Sequence, residues 1–490
     1  MKKKLILLLA AVGLAVSCSD DDKQMPDQPA EVRVTNVDLS AFVSGRQTVT
    51  DLDNGVYTLE YYGRTSGSGY VEANGRRSAP VAVTTTQAKG SVRGVKVTDG
   101  TCTIEVSGED VSSFTVMKLV EEKSRSTRAL VKGGDISELS LVEQKGGKYY
   151  NEDGEETECL EYLSSNGMNT VRLRLYNEPG KYKYAGSDGT EYELPEGIQD
   201  EADILGLALR AKQKGMQIVL SIYYSDFWAD ASIQYIPHAW KDMSASQMKS
   251  ALYAYTYAFM EKMKAQGTVP EYVSLGNETQ NGMLFPLGGP LDSSLDDYNT
   301  RVQNLCDFYN TGYAAVKASS PATKVIIHLA NAGDKGNYNW YFGLMHEYDV
   351  NYDIIGASYY PFWTNRTAKE VCEWAEYVTE KFDKDLIFME TGYAWSATID
   401  DGVTNGQLTN NLPYTDLSQR GQKNFMLELT NEINKTESGR ILGYLYWDPI
   451  FIPAGDAGWV VGQPNVVSNS ALFGFDGKAL EVFDAFRWNN

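Results

Sequence analysis

Eight short apolar runs, spaced along the chain from residue 130 onward, constrain what it can fold into more than any other feature. They cover residues 130–136, 170–176, 217–223, 272–276, 324–329, 354–360, 386–390 and 441–447. Several are apolar on both faces, the pattern of a parallel sheet covered by helices. Between them lie amphipathic stretches such as 202–214 and 246–266, with Gly215 and Gly267 placed as helix C-caps. Eight strand–helix units over residues 128–490 predict an α/β fold, a (β/α)8 TIM barrel with enlarged loops. All runs but the first end in polar or aromatic groups, as strands of such a barrel do where they carry chemistry.

The stretch before the barrel has another texture. Residues 57–62 and 81–85 are short β-branched or aromatic runs, and 102–106 and 114–118 alternate apolar with polar. Gly, Ser and Asp clusters punctuate them, so residues 31–122 are expected to form a small all-β immunoglobulin-like sandwich domain. The charged segment 121–127 marks the boundary. At the start, Lys2, Lys3 and Lys4 precede an apolar stretch too short to span a bilayer, the make-up of a secretory signal over residues 1–17. Residues 15–18 resemble a bacterial lipobox, which makes Cys18 the expected lipidation site. Residues 18–30 form an acidic tether, and Ser19-Asp20-Asp21-Asp22-Lys23 within it resembles the signal that sends such lipoproteins to the outer face of the outer membrane. The remaining cysteines, Cys102, Cys159, Cys306 and Cys372, are scattered and predict buried free thiols. A net charge of -21 repels phosphate backbones and argues against nucleic acid as a partner.

Two of the runs end in glutamate: Glu278 closes the fourth and Glu390 the seventh. An apolar strand running into a carboxylate is costly unless that group is paired, solvated or functional. Strands four and seven face one another across a barrel mouth, and glycoside hydrolysis needs two carboxyl groups flanking the scissile bond. The pair therefore reads as catalytic.

The surrounding residues are more specific. Gly276-Asn277-Glu278 with the segment 279–286 after it resembles the acid/base motif of glycoside hydrolase family 53, the endo-β-1,4-galactanases of clan A. The segment 224–230, containing Asp226 and Trp228, is similar to that family's third-strand signature. Ser358-Tyr359-Tyr360-Pro361, Glu390-Thr391-Gly392-Tyr393, Gly134-Asp135-Ile136-Ser137 and Val171-Arg172-Leu173-Arg174 fit strands six, seven, one and two. The resemblance implies retaining cleavage of galactan, with Glu390 as nucleophile and Glu278 as acid/base. Asn277 would bond the sugar 2-hydroxyl, Tyr359 or Tyr360 would donate to Glu390, and His328 would stand near Glu278. Of Arg172 and Arg174, only one is expected to face the barrel interior and hold Glu390 ionised; Arg174, nearer the strand end, is favoured. Asp226 and the stacking candidates Trp228, Trp363 and Trp447 complete the expected substrate-binding set. Some relatives hold a structural calcium ion, for which Asp400, Asp401 and Asn405 are the candidate ligands here, although Ser468 stands where the family often has aspartate. No catalytic cofactor is implied, and a monomer is expected. The alternatives are another clan A endo-glycanase, a β-mannanase or cellulase, or a surface glycan-binding lipoprotein without catalysis. Loss of either glutamate would mark the last, and both are present.

Overall fold

The structure is a computed structural model and describes residues 34–37, 45–63, 70–77, 88–107, 116–122, 130–186, 189–399 and 408–487. Residues 1–30, with Cys18, lie outside the described residues, as do Asp400, Asp401, Asn405 and the expected strand at 81–85. Among the described residues, no helix is long and apolar enough to cross a membrane.

Eight parallel strands close into a barrel: β1 (Val131–Asp135), β2 (Thr170–Leu175), β3 (Gln217–Ile222), β4 (Tyr272–Leu275), β5 (Lys324–Leu329), β6 (Ile354–Tyr359), β7 (Asp385–Thr391) and β8 (Ile441–Tyr446). Each pairs with its neighbours in sequence, and β8 closes on β1. Inside, Val131, Val219, Tyr272, Ile326, Ile354, Ile387, Met389, Leu442 and Leu445 form one cluster, so the barrel is a packed core and not a pore. The helices expected from periodicity form at Glu201–Gln213 and Ala245–Ala265, each within a residue of its expected bounds. Asp200 caps the first, and a Ser244–Gln247 capping box starts the second. Gly215 and Gly267 follow at φ 72° and 79°, the left-handed conformation glycine adopts without strain.

One irregularity bears on the site. Between β6 and β7 the register slips, so that Ala357 pairs with Phe388 but Ser358 with Glu390. On a regular strand Met389 and Glu390 would point to opposite faces. The bulge lets Met389 join the interior cluster while Glu390 reaches the mouth.

Ahead of the barrel stands an all-β unit of two four-stranded antiparallel sheets. One contains Val34–Val37, Val116–Glu122, Gly55–Gly63 and Ala88–Val97; the other contains Gly45–Val49, Cys102–Ser107, Tyr70–Ala73 and Arg76–Arg77. Leu59, Tyr61, Val95 and Leu119 of the first sheet share a core with Val71, Ile104 and Cys102 of the second. Arg76 and Lys96 meet Glu437 at 2.5 and 3.7 Å. Beside them a cavity of about 480 Å³ is lined by Val56, Glu376, Glu380 and Arg440. Because Glu437 just precedes β8, this contact lies where the barrel strands begin. Cys102, Cys159, Cys306 and Cys372 are buried and free, as expected.

Candidate active site

Glu278 follows β4 after Gly276 (φ 78°) and itself adopts φ 48°. Tyr224 after β3 and Asp448 after β8 are also left-handed, at 50° and 45°. For residues bearing a Cβ this conformation costs about 1–2 kcal/mol each, and such outliers gather where side chains are aimed for function. Glu390 is 6% exposed, whereas Glu278 stays partly open to the cleft. Oxygens of the two carboxyl groups and a ring nitrogen of His328 lie within 4.8 Å of one another. That is the close spacing of a retaining pair, about 5 to 5.5 Å, and leaves no room for the water an inverting pair must hold.

The two glutamates have different partners. Arg172 Nη1 donates to Glu390 Oε1 at 2.6 Å, and the Tyr360 hydroxyl donates to Oε2 at 3.2 Å. Glu278 accepts from the Ser358 hydroxyl at 2.6 Å, its one side-chain partner among the described residues. Burial, then the nearby Glu390 charge, push Glu278 up to about 8, with the Ser358 bond opposing. Burial also raises Glu390, but the Arg172 charge and hydrogen bond oppose it directly. The proton of the pair therefore resides on Glu278. This donor set suits proton chemistry better than a metal ion. A guanidinium already neutralises Glu390, and both nitrogens of His328 are occupied, by Asn277 at 3.0 Å and Ser358 at 2.8 Å.

The expectation for the arginines needs correction. Residues two apart on a strand share a face, so Arg172 and Arg174 both point inward, and both are fully buried. Arg172, not Arg174, holds Glu390. Its Nη2 also donates to Asn277 Oδ1 at 2.8 Å, and its Nε to Ser221 Oγ at 3.0 Å. Arg174 lies among Asp448 (3.0 Å), Glu138 (3.2 Å) and Asp135 (3.3 Å). Its guanidinium sits over the rings of Trp447 and Trp228, 4.6 and 5.3 Å from their centroids. Burial raises both Glu138 and Asp448 and the neighbouring carboxyl groups add to the rise, while the Arg174 charge opposes it.

The remaining expected residues divide. Tyr360 reaches Glu390, but Tyr359 turns into the core and donates to the Arg366 carbonyl, so of these two tyrosines Tyr360 belongs to the site. Asn277 accepts from Arg172 and donates to the Ala229 carbonyl at 2.8 Å, which leaves its second amide hydrogen for a ligand. Asp226 accepts from the backbone of Glu178 and His238 and from Tyr184. It braces the loop after β3 and does not join the carboxyl pair. Trp228 and Trp447 stand 6.3 Å apart with Trp459 beside both, at 5.2 and 6.0 Å. Trp363 is 49% exposed, packs edge-on to Tyr360, and lines a cavity of about 820 Å³ with Asn331, Asp334, Lys335 and Arg366.

Several participants carry no expected role. Trp459 donates to Asp448 Oδ2 at 2.6 Å, which ties the aromatic cluster to the buried charges. Ser358 bridges His328 and Glu278. The first strand is no exception to the polar strand ends, since Asp135, Ser137 and Glu138 are all buried at its end. The polar run beginning at Asp135 was the signal that could have revealed them.

Comparison with known proteins accords with this geometry. The model of glycosyl hydrolase family 53 matches residues 131–486. The endo-beta-1,4-galactanase of Bacillus subtilis (strain 168) is 28% identical over 402 residues, covering 75% of this chain and 88% of that protein. The arabinogalactan endo-beta-1,4-galactanase of Thermothelomyces thermophilus is 27% identical, covering 73% and 98%. Among solved structures, the GH53 catalytic domain of Ignisphaera aggregans superposes with a TM-score of 0.65 at 31% identity, covering 73% of this chain and 96% of that one.

Proposed function

Because the chain belongs to glycosyl hydrolase family 53, we propose that it hydrolyses internal β-1,4-galactosidic bonds of galactan with retention of configuration. One observation carries the mechanism: two carboxyl groups within 4.8 Å, of which only Glu390 faces a guanidinium. In the first step Glu390 attacks the anomeric carbon and Glu278 gives its proton to the departing glycosidic oxygen. The bond to that oxygen breaks and a galactosyl ester forms on Glu390. In the second step Glu278 takes a proton from water, whose oxygen attacks the same carbon and releases Glu390. Arg172 and Tyr360 keep Glu390 ionised and aimed. The second amide hydrogen of Asn277 would donate to the sugar 2-hydroxyl, and the partly exposed Trp228, beside the buried Trp447, would take the sugar on its ring face.

Incubation with linear β-1,4-galactan, mannan and cellulose is expected to release mixed oligosaccharides early, and from galactan alone. Cleavage of mannan or cellulose with galactan untouched would overturn the substrate. The pH profile of kcat/KM should be bell-shaped. Activity falls as pH rises through about 8, where Glu278 loses its proton. It also falls at low pH as Glu390, raised above the ordinary carboxylate range, becomes protonated.

We also propose a structural calcium site formed by Asp400, Asp401 and Asn405. What supports it is Asn469, whose amide nitrogen donates to the carbonyls of Ser396 and Leu408 on either side of that loop. This pins Asn469 Oδ1, which is buried and without a hydrogen-bond partner among the described residues, as an oxygen available to a hard cation. Chelation should lower Tm, and added calcium should restore it; a Tm indifferent to both speaks against the site.

A further inference from the structure

The carboxyl group of Glu278 must act first as an acid and then as a base, and its one side-chain partner among the described residues is Ser358. The same hydroxyl lies 2.8 Å from His328 Nε2. The protonation of that ring can be read from its far side. Asn277 Nδ2 donates to the Ala229 carbonyl and its Oδ1 accepts from Arg172, so the atom facing His328 Nδ1 is an acceptor. Nδ1 therefore carries the hydrogen. Burial and the Arg172 charge hold the imidazole far below its ordinary value, so it is neutral and Nε2 is a bare lone pair. Ser358 thus sits between two groups that each want its single hydrogen.

Resting on the catalytic reading above, we infer that Ser358 and His328 form a two-position hydrogen-bond switch that matches Glu278 to both of its roles. Before substrate binds, protonated Glu278 donates to Ser358 Oγ and Ser358 donates onward to His328 Nε2; with substrate in place the carboxyl hydrogen turns to the leaving oxygen while Ser358 keeps its bond to His328. Once that proton has gone to the leaving oxygen, Ser358 turns its hydrogen onto the Glu278 carboxylate and Nε2 loses its partner. When Glu278 takes a proton from water, the hydroxyl turns back. No bond of Ser358 or His328 breaks and neither changes charge; only the direction of one O–H alternates. The other ionisable groups around it are Glu390 from β7, Arg172 from β2, Asp230 from the loop after β3 and Tyr360 after β6, whose hydroxyl donates to Glu390. The Tyr338 hydroxyl is engaged by the Leu329 and Ala330 carbonyls. His328 is in this view a positioning residue acting through Ser358.

The two partners should move the alkaline limb of kcat/KM in opposite directions. Ser358→Ala removes the donor to the carboxylate, and the charge-assisted bond is the stronger of the two lost. Its limb is therefore expected about one pH unit higher. His328→Leu removes the competitor for the hydrogen and leaves Ser358 free to favour the ionised acid, so its limb should fall. His328→Gln retains an acceptor and should leave the limb near the parent position. In the Ser358→Ala background, His328→Leu should cause no further shift. A purely structural histidine would lower rates at every pH without moving the limb. Limbs that shift the same way, or His328 effects that persist without Ser358, overturn the switch. Should His328→Leu not fold, an unmoved or lowered limb in Ser358→Ala overturns it alone. A parent enzyme inactive on galactan would instead sink the catalytic reading, so the two failures are distinguishable.

Discussion

Replacing Glu390 with glycine is expected to reduce turnover of galactan by at least about 10⁴-fold, roughly 5 kcal/mol in barrier height. The loss should fall on kcat, since the missing step is formation of the covalent ester. The cavity left beside Arg172 and Tyr360 would admit a small anion such as azide, which can attack from the same face. Product of inverted configuration should then appear in proportion to azide. The matching Glu278→Ala variant should retain its first step on an aryl galactoside whose leaving group needs no acid, and accumulate the ester. A Glu390→Gly enzyme with more than about 1% of parental kcat (less than about 3 kcal/mol of added barrier) would remove Glu390 as nucleophile.

Arg172→Met should have the second largest effect, and on two quantities together. The arginine is fully buried and bonds Glu390, Asn277 and Ser221. Its loss leaves a carboxylate in a dry site without compensation, a change that costs about 3–5 kcal/mol. Part of that cost is avoided if Glu390 takes up a proton, because a buried carboxyl without its cation titrates higher. Stability should therefore fall, and the acid limb of the pH profile should move upward, so that little active enzyme remains at any pH. Arg172→Lys should not rescue it, because an ammonium cannot span Glu390 and Asn277 as a guanidinium does. The double variant Arg172→Met with Glu390→Gln should recover stability but not activity. An unshifted acid limb in Arg172→Met would show that another group sets the charge of Glu390.

The barrel and the two glutamates were legible because each depends on a short-range rule. A run of apolar residues that stops at a polar group marks both a buried strand and its exposed end, and Glu278 and Glu390 stand at two such ends. What escaped depends on geometry no local pattern encodes. Arg172 and Arg174 obey the same alternation; only closure of the barrel places Arg172 against Glu390 and Arg174 against Asp448. Tyr359 ends a strand whose pairing slips two residues before it and Tyr360 follows just beyond, so parity alone could not say which reaches the nucleophile. Trp459 lies in a loop without periodicity, and nothing in its neighbours announces the bond to Asp448. The left-handed backbone of Glu278 is likewise invisible, since glutamate is not a residue type that advertises it.

The contact between Glu437 and the Arg76–Lys96 pair has a consequence for how the enzyme meets a long polymer. It lies at the pole of the barrel where the strands begin, while the carboxyl pair stands at the pole where they end. Among the described residues, the all-β unit thus meets the barrel from behind, at the pole opposite the mouth. A polysaccharide lying across the mouth as a tangent would not meet this contact, since it stands at the other pole. Cutting in mid-chain requires a passage open on both sides of the mouth, and a mount at the opposite pole is compatible with one.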